Sequence, residues 1–176
     1  MRSIQRIGLF SLLFLQGCGF HLRGPAVLAP ALKKMYVQSF EPFSLLTSTL
    51  KIALKNAGVR IVENKQEADT VLSILQETPT QQLLSVGTTQ QTRQYSLILS
   101  ANYQISSPQD KPLLPLQTVV ETRSLTLQAN KILGTSNEQS DLYQQMRQSI
   151  AYDIIDRLSA DETTAQLNAI KLSHEN

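Results

Sequence analysis

The chain has a single thiol, at Cys18, and that residue sits where a covalent reaction is expected. It closes the run Leu15-Gln16-Gly17-Cys18, which follows the apolar stretch IGLFSLLFL at 7–15 and the two cations Arg2 and Arg6. A positive start, a short apolar segment and a small residue before a cysteine form a bacterial lipoprotein signal. Processing would remove residues 1–17 as a signal peptide and leave Cys18 carrying a diacylglyceryl group and an amide-linked acyl chain, of the palmitate class. Several acyl chains together anchor a protein stably, at roughly 0.8 kcal/mol per buried methylene. The apolar stretch itself is too short to remain as an anchor, because nine helical residues span only about 14 Å, roughly half the hydrocarbon thickness. Gly19, in place of Asp, resembles the sorting signal that sends such lipoproteins to the outer membrane of Gram-negative cells.

Other reactive chemistry is sparse. The two histidines, His21 and His174, lie near the two ends of the mature chain, so neither a serine–histidine nor a cysteine–histidine arrangement is expected. His21 has no second His or Cys at ligand spacing, the acidic residues are scattered, and no glycine-rich phosphate loop occurs. A non-catalytic protein without metal or cofactor is the expectation. Arg2 and Arg6 leave with the signal, so the 16 Lys and Arg fall to 14 and match the 14 Asp and Glu. A neutral mature chain gives no electrostatic footprint for nucleic acid.

The polar chemistry concentrates between Thr78 and Gln109, a stretch rich in Gln, Thr and Ser whose only charge is Arg93. It reads either as the wet outer face of two strands or as a hydrogen-bonding surface within a polar cavity or against sugars and phosphates. Arg93, Arg123 and Lys131 are the candidate phosphate partners.

These residues need a scaffold, and about 160 mature residues suffice for one domain with one core. Residues 18–32 read as a lipidated tether, 33–159 as the domain and 160–176 as an unstructured tail. Met35, Val37 and Phe40 suggest a short strand, and Pro42 opens a helix that Gly58 ends. Its apolar face carries Leu46, Leu50, Ala53, Leu54 and Ala57. Val59 to Val62 is a brief extended piece, and Thr70 to Gln76 is a central strand with apolar groups on both faces. Tyr95, Leu97, Leu99, Ala101, Tyr103 and Ile105 alternate with a mostly polar set and predict a half-buried strand. After a turn at Ser107 to Pro112, Leu116 to Leu127 returns as the partner strand. Val120 falls in one phase and Leu125 and Leu127 in the other, which predicts a bulge near Arg123 and Ser124.

The last helix is expected to start at a capping box, Ser136 with Gln139, and to bury Leu142, Met146, Ile150, Ile154 and Leu158. The order β-α-β-β-β-α implies an α+β two-layer sandwich: a mixed, mostly antiparallel four-stranded sheet with two helices on one face.

With the elements placed, Cys18-Gly19-Phe20-His21-Leu22-Arg23-Gly24 is similar to the mature start of the LPS-assembly lipoprotein family, LptE. The helix end Leu54-Lys55-Asn56-Ala57-Gly58-Val59, the Tyr95 strand and Asn137-Glu138-Gln139 resemble that family in the same order, from Cys18 to about Leu158. The resemblance implies a non-catalytic plug inside the outer-membrane β-barrel LptD. Such a plug helps the barrel assemble and binds lipopolysaccharide during its transport to the cell surface, on the periplasmic side and within the barrel lumen. Family members can carry a basic residue in the turn before the Tyr95 strand. Here Ser85 to Gln91 has none, and Arg93 and Lys131 are the nearby substitutes. The competing expectation is a free periplasm-facing adaptor lipoprotein that binds another envelope component through its polar sheet face.

Overall fold

The computed structural model describes residues 28–87, 92–128 and 132–172; Cys18, His21, Lys131 and His174 lie outside them. The elements are β1 (Lys34–Ser39), α1 (Leu45–Asn56), β2 (Arg60–Val62), β3 (Thr70–Val86), β4 (Thr92–Ser106), β5 (Gln117–Gln128), α2 (Ile132–Leu158) and α3 (Asp161–Leu172). The strands form one sheet in the order β2-β1-β3-β4-β5. β1 pairs in parallel with β2 and β3, whereas β3–β4 and β4–β5 are long antiparallel ladders.

The fold class is therefore as expected, with one more strand than the four predicted. Only three residues long, β2 cannot show an alternating pattern, and it joins the sheet by parallel pairing to Lys34–Tyr36. One phase of β4, Leu97, Leu99, Ala101, Tyr103 and Ile105, is buried in the same cluster as Leu46, Leu50 and Leu54 of α1 and Met146, Ile150, Ile154 and Leu158 of α2. Both helices thus cover one face of the sheet, as their apolar stripes require.

α1 begins at Leu45 and not at Pro42. Ser44 is its N-cap, its side chain accepting from the Thr47 N–H at 3.1 Å, because a hydroxyl there satisfies a first-turn donor that has no carbonyl partner within the helix. Its end is as predicted: Gly58 has φ +82°, and the Val59 N–H donates to the Leu54 carbonyl at 3.0 Å.

Three expectations are corrected. The bulge is absent from β5, which pairs with β4 without a break from Gln117 to Gln128, while β3 carries two shifts, at Leu75 and Leu84. Val119, Leu125 and Leu127 share the helix-facing phase, and Val120 points the other way and is half exposed. α2 starts at Ile132, four residues before Ser136, since only three residues separate β5 from it and the chain must return at once. The stretch after Leu158 is not unstructured but forms α3, whose Leu167 enters the core. One buried leucine per helix is too sparse a pattern to read from sequence.

The core also reaches further toward the amino terminus than Lys33. Leu28 and Ala29 are buried, and Pro30–Leu32 forms a single 3-10 turn that seats Leu32.

Candidate interaction surface

β3 runs for 17 residues but β1 accompanies it only as far as Ile74, so β3, β4 and β5 project beyond the rest as a three-stranded arm. The arm's side facing away from the helices follows from the register. Its successive rungs are Gln76–Asn102–Thr118, Thr78–Ser100–Val120, Thr80–Ile98–Thr122, Gln82–Ser96–Ser124 and Ser85–Gln94–Thr126. Five rungs of three positions hold no ionisable side chain, and all but Ile98 and Val120 are hydroxyls or amides. Neighbours bond across it: Thr118 Oγ1 donates to Asn102 Oδ1 at 2.8 Å, and Ser85 Oγ lies 3.4 Å from Gln94 Oε1. Such a wall offers donors and acceptors at every rung without a charge to desolvate, which suits contact with another polar surface across water.

The opposite side of the arm faces α2, and near the base an ion pair joins the two. Arg147 binds Glu77 through Nη2 at 2.6 Å and Nε at 2.7 Å. Further toward the tip the Tyr143 hydroxyl donates to the Thr80 carbonyl at 3.2 Å, and Gln139 Nε2 donates to Gln81 Oε1 at 3.0 Å. These polar contacts run along the β3 side of the seam between helix and arm, beside Leu97, Leu99 and Leu125 of β4 and β5, which remain in the apolar core.

Of the candidate phosphate partners, Arg93 is exposed at the arm's end, where its rung joins Val86 and Leu127. Arg123 shares that face but lies on the Leu97 rung, four residues or about 13 Å along the strand. It is also engaged, 3.3 Å from Glu121 Oε2 and 3.5 Å from Ser149 Oγ. The two do not converge on one site. Lys131 falls outside the described residues.

The tip has a feature that sequence reasoning missed: Leu83, Leu84 and Val86 are each about half exposed. The signal was the adjacent pair Leu83-Leu84, which a strand's alternation cannot bury on one face.

Comparison with known proteins agrees with this architecture. The sequence profile of the family described as LptE, lipopolysaccharide-assembly, matches residues 32–158. This chain belongs to the LptE family. It is 27% identical over 149 residues to the LPS-assembly lipoprotein LptE of Pectobacterium atrosepticum, covering 84% of this chain and 80% of the relative. With the LptE of Photorhabdus laumondii it shares 28% identity over 142 residues, 81% of this chain and 77% of the relative. Among solved structures, lipoprotein B of Nitrosomonas europaea superposes with a TM-score of 0.67 at 20% identity, covering 86% of this chain and 96% of that one. A minor lipoprotein of Acinetobacter baumannii gives 0.62 at 24% identity, covering 74% and 95%. Those two establish the shared fold.

The part matched by the LptE family profile includes the whole uncharged wall and α2. Within it the described residues hold no cluster of His, Cys, Asp or Glu able to bind a metal ion.

Proposed function

We propose that this LptE-family chain is an outer-membrane lipoprotein, anchored through Cys18, that plugs and helps assemble the LptD β-barrel and binds lipopolysaccharide on its way to the cell surface. The observation that supports it most is the uncharged wall of β3, β4 and β5. A barrel interior is polar and wet, and a plug that fills it needs a compact surface of hydroxyls and amides. A greasy patch would leave apolar area unmatched against that lining, and a charged one would have to shed water from each ion. In the same reading residues 18–27 span the gap between membrane and domain. Arg93 at the arm's end contacts lipopolysaccharide phosphates, with Arg123 and Lys131 as further phosphate partners.

Purification of the full-length lipoprotein in detergent tests the proposal. One copy migrating with a large β-barrel is expected, and depletion of the lipoprotein should leave that barrel misassembled. A monomer with no barrel, and an unaffected barrel after depletion, would remove the plug reading and favour the free adaptor. Replacing Arg93, Arg123 and Lys131 together should weaken retention of lipopolysaccharide more at low salt than at high, because exposed charge pairs are screened.

A further inference from the structure

Both phenylalanines of the described domain stand outside its core. Phe40 is 85% exposed and Phe43 100% exposed, on the loop Ser39–Ser44 between β1 and α1, while the core is filled by Leu, Ile, Val, Met and Tyr103. Folding gains nothing from two rings held in water, and a large apolar group so placed is the informative kind of exposure.

The loop is also built to hold them there. Thr47, 1% exposed, donates its hydroxyl to the Glu41 carbonyl at 3.0 Å and lies 2.9 Å from both Ser39 Oγ and Ser44 Oγ. The Glu41 N–H donates to Ser39 Oγ, the Ser44 N–H to the Glu41 carbonyl, and the Phe40 N–H to the Ile74 carbonyl at 3.3 Å. Pro42 fixes one more backbone angle. A loop tied at both ends and across its middle keeps its rings oriented before any partner arrives, which lowers the ordering cost of association. Beside it lies a groove of about 400 Å³ running from Phe40 and Ser44 to Leu75 and Gln76.

We propose that the Phe40–Phe43 loop is an aromatic anchor that the β-barrel partner buries, with the adjoining groove receiving an apolar side chain of that barrel. This rests on the plug reading above. The groove reaches Gln76, the first rung of the uncharged wall, and Glu77 beside it, so loop and wall adjoin. A membrane is the poorer occupant. Glu41 is the only charge between Ser39 and Ser44, which an anionic leaflet repels, and β1 puts about 20 Å between the loop and the end where the tether enters. A second copy is also disfavoured, since the neighbouring open edge of β3 is broken by Pro79 and by the shifts at Leu75 and Leu84, devices that discourage strand pairing.

The test uses the full-length lipoprotein co-expressed with its barrel. Phe40→Ser and Phe43→Ser should each weaken barrel retention about tenfold or more, the loss expected for exposing one buried ring. The unfolding midpoint and lipopolysaccharide retention should stay unchanged. Retention equal to that of the unsubstituted chain would overturn the assignment while leaving the plug reading intact. Failure of the unsubstituted chain to retain any barrel would remove both. A photoreactive phenylalanine analogue at position 43 should give an adduct with the barrel; adducts only with a second copy or with lipid, or none, would overturn the proposal.

Discussion

The base of the molecule and its arm are held together in different ways. In the base, α1, the carboxyl-terminal half of α2 and the sheet enclose Leu50, Leu54, Leu72, Tyr103, Ile105 and Ile154, all essentially inaccessible to water. Along β3 beyond Gln76 burial gives way to Arg147–Glu77, Tyr143–Thr80 and Gln139–Gln81, and its residues are exposed or half-exposed, while Leu97, Leu99 and Leu125 of β4 and β5 stay buried under α2. Burial of β3 is thus confined to the base, and its surface available for recognition lies in the arm. Elements whose own packing is thin are the ones that can open locally and adapt to a partner.

If that division is real, substitutions should separate cleanly. The largest effect is expected in the base: Leu50→Ala should cost about 2–5 kcal/mol in denaturant unfolding, because a sealed core relaxes little around a lost side chain. Next comes the junction. Arg147→Met strands Glu77, whose side chain is only 13% exposed, and should cost about 1–2 kcal/mol. Hydrogen exchange should then speed up in Glu77 to Gln81 and leave the Leu72 region protected. A uniform loss across both regions would erase the distinction between base and arm.

A pH experiment sharpens the same contrast. Burial pushes the Tyr103 phenol above its ordinary value of 10.0, with the Arg157 guanidinium acting in the opposite direction. A raised folded-state value means that the folded protein holds its proton more tightly. The associated stability is complete below about pH 10 and is lost as pH rises through the folded value. Thermal scans should therefore show an alkaline decline that is shallower in Tyr103→Phe; an unchanged profile would place the alkaline sensitivity elsewhere. The smallest effect on stability belongs to the wall, where Thr122→Glu should change unfolding by no more than about 0.5 kcal/mol. The same change should reduce barrel retention by putting a charge where none occurs.

α1 of the base and β4, which runs from the base into the arm, were largely legible in the sequence. Leu46, Leu50 and Leu54 repeat every four residues, and the alternation from Tyr95 to Ile105 is unbroken, because each pattern is imposed by one buried face. β3 of the arm was not, for the same physical reason. β3 beyond Gln76 buries neither face, so its strand character comes from pairing with β4 and leaves no hydrophobic period to read. Val120 misled the reading of β5 since an exposed valine on a wet face looks like a core residue out of register. The composition of the wall was visible as a run of Gln, Thr and Ser, but its lack of charge across three strands needed the register. Arg93 and Arg123 looked alike in sequence, yet one is exposed at the tip and the other is paired with Glu121. The exposed rings of Phe40 and Phe43 were hidden by their place beside a strand, where aromatic residues ordinarily pack inward.

The most direct test of the account places a photoreactive side chain at Thr122, in the middle of the wall, within the full-length lipoprotein in cells. A covalent adduct with the outer-membrane β-barrel is the result expected of a plug. Adducts only with periplasmic proteins, or none, from a correctly lipidated and folded chain would contradict it.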